Sequence, residues 1–119
     1  MADRADTEQD EVLRTFHDAV NMAPSELERW LATDQSRSAG QHRGGGESTG
    51  HASGRRIVSL LRTRKAELEA DDRRHMRKVS GYVHRHLAQR PAGDVTETTW
   101  RYSLMNWGHD PTKPASSRQ

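Results

Sequence analysis

The stretch that decides the fold is Asp71 to Pro91, DDRRHMRKVSGYVHRHLAQRP. Met76, Val79, Val83 and Leu87 recur in it every three or four residues, a spacing that lines one side of an α-helix and that a strand would scatter over both faces. Asp71 and Asp72 put negative charge where a helix N-terminus favours it, and Pro91 denies the chain a further turn. A helix over about 71–89 follows. Arg74, Lys78, Arg85 and Gln89 lie together away from its apolar stripe, with Arg77 and His84 alongside. Ser80 and Gly81 are weak helix residues in mid-helix and point to close packing or a slight kink.

Working outward, Ser53 is placed to cap a preceding helix whose apolar side is Ile57, Val58, Leu60 and Leu61 and whose other sides carry Arg55, Arg56, Arg62, Arg64 and Lys65. A short break near 66–70 separates the two. On the C-terminal side, Asp94 and Glu97 form a capping box for a last helix with Trp100, Leu104 and Trp107 in one stripe, closed by Gly108 and Pro111. Near the N-terminus, Thr7 and Asp10 start a helix over about 8–21 with Val12, Leu13, Phe16, Ala19 and Val20 at helical spacing. Pro24 interrupts it. Ser25 and Glu28 then cap a second helix, whose stripe is Leu27, Trp30 and Leu31, ending near Thr33.

Between Asp34 and Gly54 the composition shifts to Ser, Gly, Gln and His, and six of the nine glycines fall there. It reads as a flexible loop over about 34–52, either a linker or a functional loop. The expected architecture is all-α: a small single domain of about five helices over 8–112, with a long Gly/Ser-rich loop and disordered tails at 1–7 and 113–119.

Only 31% of the 119 residues are apolar, so the core is small. No segment approaches the roughly 18 apolar residues of a membrane span, and the polar, acidic start lacks the apolar stretch of a secretory signal. A cytoplasmic location is the expectation. With no cysteine, thiol catalysis, disulfides and thiolate metal sites are excluded. The net charge of +2 hides an asymmetry: residues 1–50 carry five Arg against ten Asp/Glu, residues 51–119 fourteen Lys/Arg against seven. Such a dipole suits a polyanion bound by one face, or else the two halves attract each other in the fold.

Three runs carry a resemblance: Gly50 to Val58 (GHASGRRIV), His75 to Pro91 (HMRKVSGYVHRHLAQRP) and above all Trp100 to Pro111 (WRYSLMNWGHDP). They resemble a family of short, mostly bacterial proteins catalogued as domain of unknown function thirty-one-forty, over about Leu13 to Lys113. The family has no established activity, but its members are often labelled DNA-binding proteins, and DNA binding is what the resemblance implies here. Where the family pattern has a Ser or Thr cap before the 71–89 helix, this chain has Glu69.

No phosphate-loop or dinucleotide signature is present. Gly50 to Arg56 would offer free backbone N–H groups at a helix start beside Arg55 and Arg56, an arrangement suited to a phosphate or simply to a capped helix. His84 and His86 are two apart and diverge on a helix, so no metal site is expected. No nucleophile stands at helical spacing from a base, no cofactor is called for, and an enzyme is not expected. Trp100 and Trp107, with Tyr102, suit either a core or the stacking of bases. The candidate nucleic-acid contacts are Arg55, Arg56, Arg74, Arg77, Lys78 and Arg85, meeting DNA phosphates through a basic helical surface. The alternative is a protein-interaction or structural module whose basic stripe meets an acidic partner.

Overall fold

The computed structural model describes residues 4–39 and 47–113. The sequence expectations for residues 1–3, 40–46 and 114–119 lie outside the described residues. Among those described, the chain forms six α-helices and one 3₁₀ turn, with no strand. The helices are α1 (Arg4–Ala19), α2 (Pro24–Leu31), α3 (Asp34–Ser38), α4 (Thr49–Leu61), α5 (Ala70–Leu87) and α6 (Thr99–Asn106), and the 3₁₀ turn is Lys65–Glu67. No described helix is long and apolar enough to cross a membrane.

The apolar stripes meet as their spacing requires. Phe16 and Val20 of the α1 segment, Leu27 and Leu31 of α2, Ile57 and Val58 of α4, Met76, Val79 and Val83 of α5, and Leu104 at the centre of α6 join in one core with Trp107. Each fully buried Leu- or Phe-sized side chain adds about 1.5 to 3 kcal/mol of transfer free energy. α1 lies along α5 and α2 along α4, while the eight-residue α6 touches α2, α3, α4 and α5 and so ties the pairs together. That closeness needs Gly54, where a β-carbon would stand 2.5 Å from the Asn106 carbonyl oxygen and 2.7 Å from a Leu31 methyl. α6 ends at Asn106 with Trp107 as its cap, and the next residue, Gly108, turns the chain away with a φ of +84° that suits glycine just past a helix C-terminus.

The helix starts differ from those read in the sequence. α1 begins at Arg4, so Thr7 lies inside it rather than at its cap. Pro24 does not interrupt but opens α2 at the first helical position, where its missing N–H costs nothing, and Glu26 rather than Glu28 reaches back to the Ala23 N–H at 3.1 Å. Asp34–Ser38, expected as loop, is a short helix capped by the Thr33 hydroxyl, with Ser36 fully buried. α4 starts at Thr49, with Ser48 accepting the His51 N–H, and Ser53 sits buried within it rather than capping it. Asp94 accepts the Thr96 N–H in a turn of its own, and Thr98 caps α6. Glu69 takes the cap position of α5, and the Asp72 carboxylate accepts the Glu69 N–H at 3.0 Å.

Candidate functional site

α5 shows three sides at 100° per residue. One is the buried stripe. The second, opposite it, bears Arg74, Lys78 and Arg85, with Arg77 at its edge, all exposed. The third faces α6 and bears His75, Tyr82 and His86, between which the α6 tryptophans insert. Trp107 stacks on Tyr82 at 4.2 Å and near His75 at 6.3 Å, Tyr82 stacks on His86 at 5.2 Å, and His86 stacks on Trp100 at 5.9 Å. All four pairs lie within 16° of parallel. The Arg90 guanidinium closes the ladder over Trp100 at 5.4 Å, a cation–π contact. Trp100 Nε1 also donates to the His86 carbonyl at 2.8 Å. Trp107 is 5% exposed, which makes it core rather than a stacking platform for bases.

The six cations singled out in the sequence divide in two. Arg55 makes a two-pronged pair with Glu47, at 2.8 Å from Nε and 2.6 Å from the second nitrogen. The bonds from Arg55, with a further one from His51, hold the Glu47 carboxyl well below its usual range, at about 2. Arg56 reaches Asp71 at 2.9 Å and Asp72 at 3.4 Å, and Arg74 reaches Asp71 at 2.8 Å. Arg55 and Arg56 are therefore held by acids of the same molecule and do not flank an open phosphate site. Arg77 borders a groove with Glu8 and Glu11 of α1. Lys78 and Arg85 make no ion pair among the described residues.

The acidic and basic halves do attract each other in places. Asp10 pairs with Lys65, Glu26 with Lys113, Glu28 with Arg62 and Glu47 with Arg55. These pairs are largely solvent-facing and each adds little to stability, but together they leave the outer face of α5 as the basic surface that the acidic half does not cover.

Two features were not readable from the sequence. Ser53 Oγ lies 3.0 Å from His75 Nε2, although the residues are 22 positions apart. A hydroxyl beside an imidazole is half of a nucleophilic site, but Ser53 is 5% exposed and offers substrate no approach. Burial, with the charges of Arg56 and Lys78, lowers the His75 pKa. The second feature is a cleft of about 520 Å³ where α4, α5 and α6 converge, lined by Thr49, Gly50, Lys78, Tyr82, Ser103 and Trp107 among others. Among the described residues no carboxylate lines it. Burial raises the Tyr82 pKa, offset in part by the hydrogen bond from Ser103, and burial lowers that of His86. The walls of the cleft are thus neutral or cationic. Among the described residues no three of His, Asp and Glu converge as metal ligands.

No curated protein and no solved structure matches the chain. A family model described as protein of unknown function (DUF3140) matches residues 15–105, from the second half of α1 to the penultimate residue of α6, which takes in the cleft residues from Thr49 to Ser103 and stops short of Asn106 and Trp107; the chain belongs to that family.

Proposed function

We propose that the protein binds DNA through the outer face of α5, with Lys78 and Arg85 at the centre of the contact and Arg74 and Arg77 at its edges. The observation that supports this reading is a row of exposed cations on one helix, facing away from the core, of which Lys78 and Arg85 have no acidic partner among the described residues. From Arg74 to Arg85 the row extends about 16 Å, enough to follow several phosphates of one strand. Such contacts fix position and carry no base information, so the binding is of low sequence specificity. Arg55 and Arg56 are left out, since each is held by a carboxylate from another segment, whereas Arg74 is kept at the edge because its partner Asp71 is three residues away on the same exposed helix and such a surface pair is weak.

The test is a salt titration on mixed-sequence duplex DNA. Three to four phosphate contacts give a slope of log affinity against log salt of about −3, against about −5 if all six cations take part. No retention at low salt removes the reading and leaves an acidic protein as the partner for the same face.

A further inference from the structure

We propose that the cleft between α4, α5 and α6 is a binding site for a phosphate monoester, which shares Lys78 with the proposed DNA-binding face but does not rest on that reading. The chain has three tryptophans. The indole N–H of Trp30 is taken by Asn106 Oδ1 at 2.8 Å and that of Trp100 by the His86 carbonyl at 2.8 Å. The N–H of Trp107 donates to nothing among the described residues, although Trp107 is 95% buried and its edge lines the cleft. No side-chain nitrogen or oxygen that is itself buried lacks a partner among the described residues, so this N–H is not sealed in the core but opens on the cleft.

The indole nitrogen lies against the first turn of α4. It is the nearest atom to where a Gly50 β-carbon would stand, at 3.0 Å, so glycine is what lets the indole edge approach the helix start. The first-turn amides of a helix are themselves donors without intrahelical acceptors and carry the positive end of the helix dipole. Ser48 accepts that of His51, further into the turn, while Thr49 and Gly50 face the cleft. Donor thus stands beside donor, with the Thr49 hydroxyl and the Lys78 ammonium on the same rim and no carboxylate among the lining residues. The acceptor such a group wants is an anion from outside, and four convergent kinds of donor at a 13-residue helix start suit the several oxygens of a phosphate better than the two of a carboxylate.

The ladder narrows the class further. Tyr82 lies between Trp107 and His86, and Trp107 between Tyr82 and His75, so the rings present edges, not faces, to the cleft. A ligand is therefore held by its phosphate and not by stacking of a base.

The experiment follows the three indole N–H signals and the Gly50 amide by two-dimensional NMR of ¹⁵N-labelled full-length protein while inorganic phosphate is added. The expected result is a saturating shift of the Trp107 indole and Gly50 amide, with Trp30 and Trp100 fixed by their internal acceptors and serving as controls. Acetate at equal ionic strength should give no saturating shift. Lys78→Gln, a surface change compatible with folding, should weaken the phosphate response at least about tenfold, and Arg85→Gln, outside the cleft, should leave it unchanged. A nucleoside monophosphate and a DNA strand bearing a 5′-phosphate or a 5′-hydroxyl then distinguish a free ester from a strand end, since each phosphate-bearing probe that binds here must move the same two signals. A Trp107 indole that stays still to millimolar phosphate, equal movement of all three indoles, or an undiminished response in Lys78→Gln overturns the proposal.

Discussion

Asn106 and Trp107 are neighbours in the chain, yet they serve two regions of opposite character. Asn106 stands at the junction of α2, α3 and α6, where its Oδ1 accepts from Trp30 Nε1 at 2.8 Å and from Ser36 Oγ at 2.5 Å, and its Nδ2 donates to the Ser36 carbonyl at 3.0 Å. Every side-chain polar atom of that fully buried amide has a partner. Trp107 stands one residue on, where α4, α5 and α6 meet, and its N–H has none among the described residues. A closed polar network rigidifies a junction and specifies one arrangement of helices. An open one, ringed by donors and bordered by a cleft, is what a recognition site requires before its ligand arrives. The last residue of one eight-residue helix and its C-cap thus serve both.

The comparison is broken most directly by truncation. Trp107→Ala should cost about 3 to 5 kcal/mol, because it removes the rung that Tyr82 and His75 stack on and opens a cavity in the shared core. In a domain of this size that shifts the melting temperature by about 4 to 8 °C for each kcal/mol, enough to leave little folded protein at 37 °C. An unaltered midpoint would sink the core assignment and move this tryptophan to a binding surface. Asn106→Ala should come next, at about 2 to 4 kcal/mol, since it leaves the Ser36 hydroxyl and carbonyl buried and unpaired at about 1 to 3 kcal/mol each. The Trp30 indole, only partly buried, can turn to water instead. If Asn106→Ala melts with the wild type, the junction is not the closed network described.

How much of this was legible depended on periodicity. Phe16 with Val20, Leu27 with Leu31, and Met76 with Val79 and Val83 announced their helices because each buries a stripe long enough to repeat. Trp100 and Trp107 announced α6 but not the ladder, because the sequence alone does not say which helix supplies the rings between them. α3 was missed because five residues hold barely one turn, too short for any stripe, and what stabilises it is the buried Ser36 bonded to a residue 70 positions away. Thr33 followed by a polar run was its one local signal. The start of α4 was read five residues late because Gly50 and Gly54 look like loop; they are helical where α6 presses closest, a reason that exists only in the fold. Of the six candidate cations, the sequence identified the charges but not Glu47, Asp71 and Asp72 as the partners that occupy half of them.

The two regions also separate by pH. Burial holds the folded-state pKa of His75 and of His86 below the ordinary value of 6.5, so both rings are favoured neutral in the fold while the unfolded chain protonates first as pH falls. Their contribution is full above about pH 6.5 and is lost as pH drops through 6.5 toward the folded values. The carboxylate of Glu47 acts the same way in a lower window, with stability present above its ordinary 4.5 and lost toward about 2, and solvent screening of its exposed pair with Arg55 keeps the effect small. Urea midpoints at pH 7.5 and 5.5 should therefore fall in the wild type, and the fall should shrink in His86→Gln, which acts on the ladder. Asn106 carries no titratable group, and a pH dependence that survives replacement of both histidines would place its origin outside the cleft side of α5.

The smallest effect is also the most specific. Lys78 sits where the outer face of α5 meets the rim of the cleft, exposed and without an acidic partner among the described residues. Lys78→Gln removes one charge and no buried contact, so stability should stay within about 0.5 kcal/mol of wild type. On duplex DNA, the loss of one phosphate contact should make the log–log salt slope shallower by about 0.9. Arg85→Gln should do the same, since it lies on the same face. Arg55→Gln is the control that gives the pair its meaning: Arg55 is already spent on Glu47, so its replacement should leave the slope nearly unchanged and instead raise the pKa of the freed carboxylate. Equal losses of slope in all three variants would mean that DNA displaces Glu47 from Arg55, and the binding face would then run from α5 across to the start of α4, joining the outer surface to the cleft.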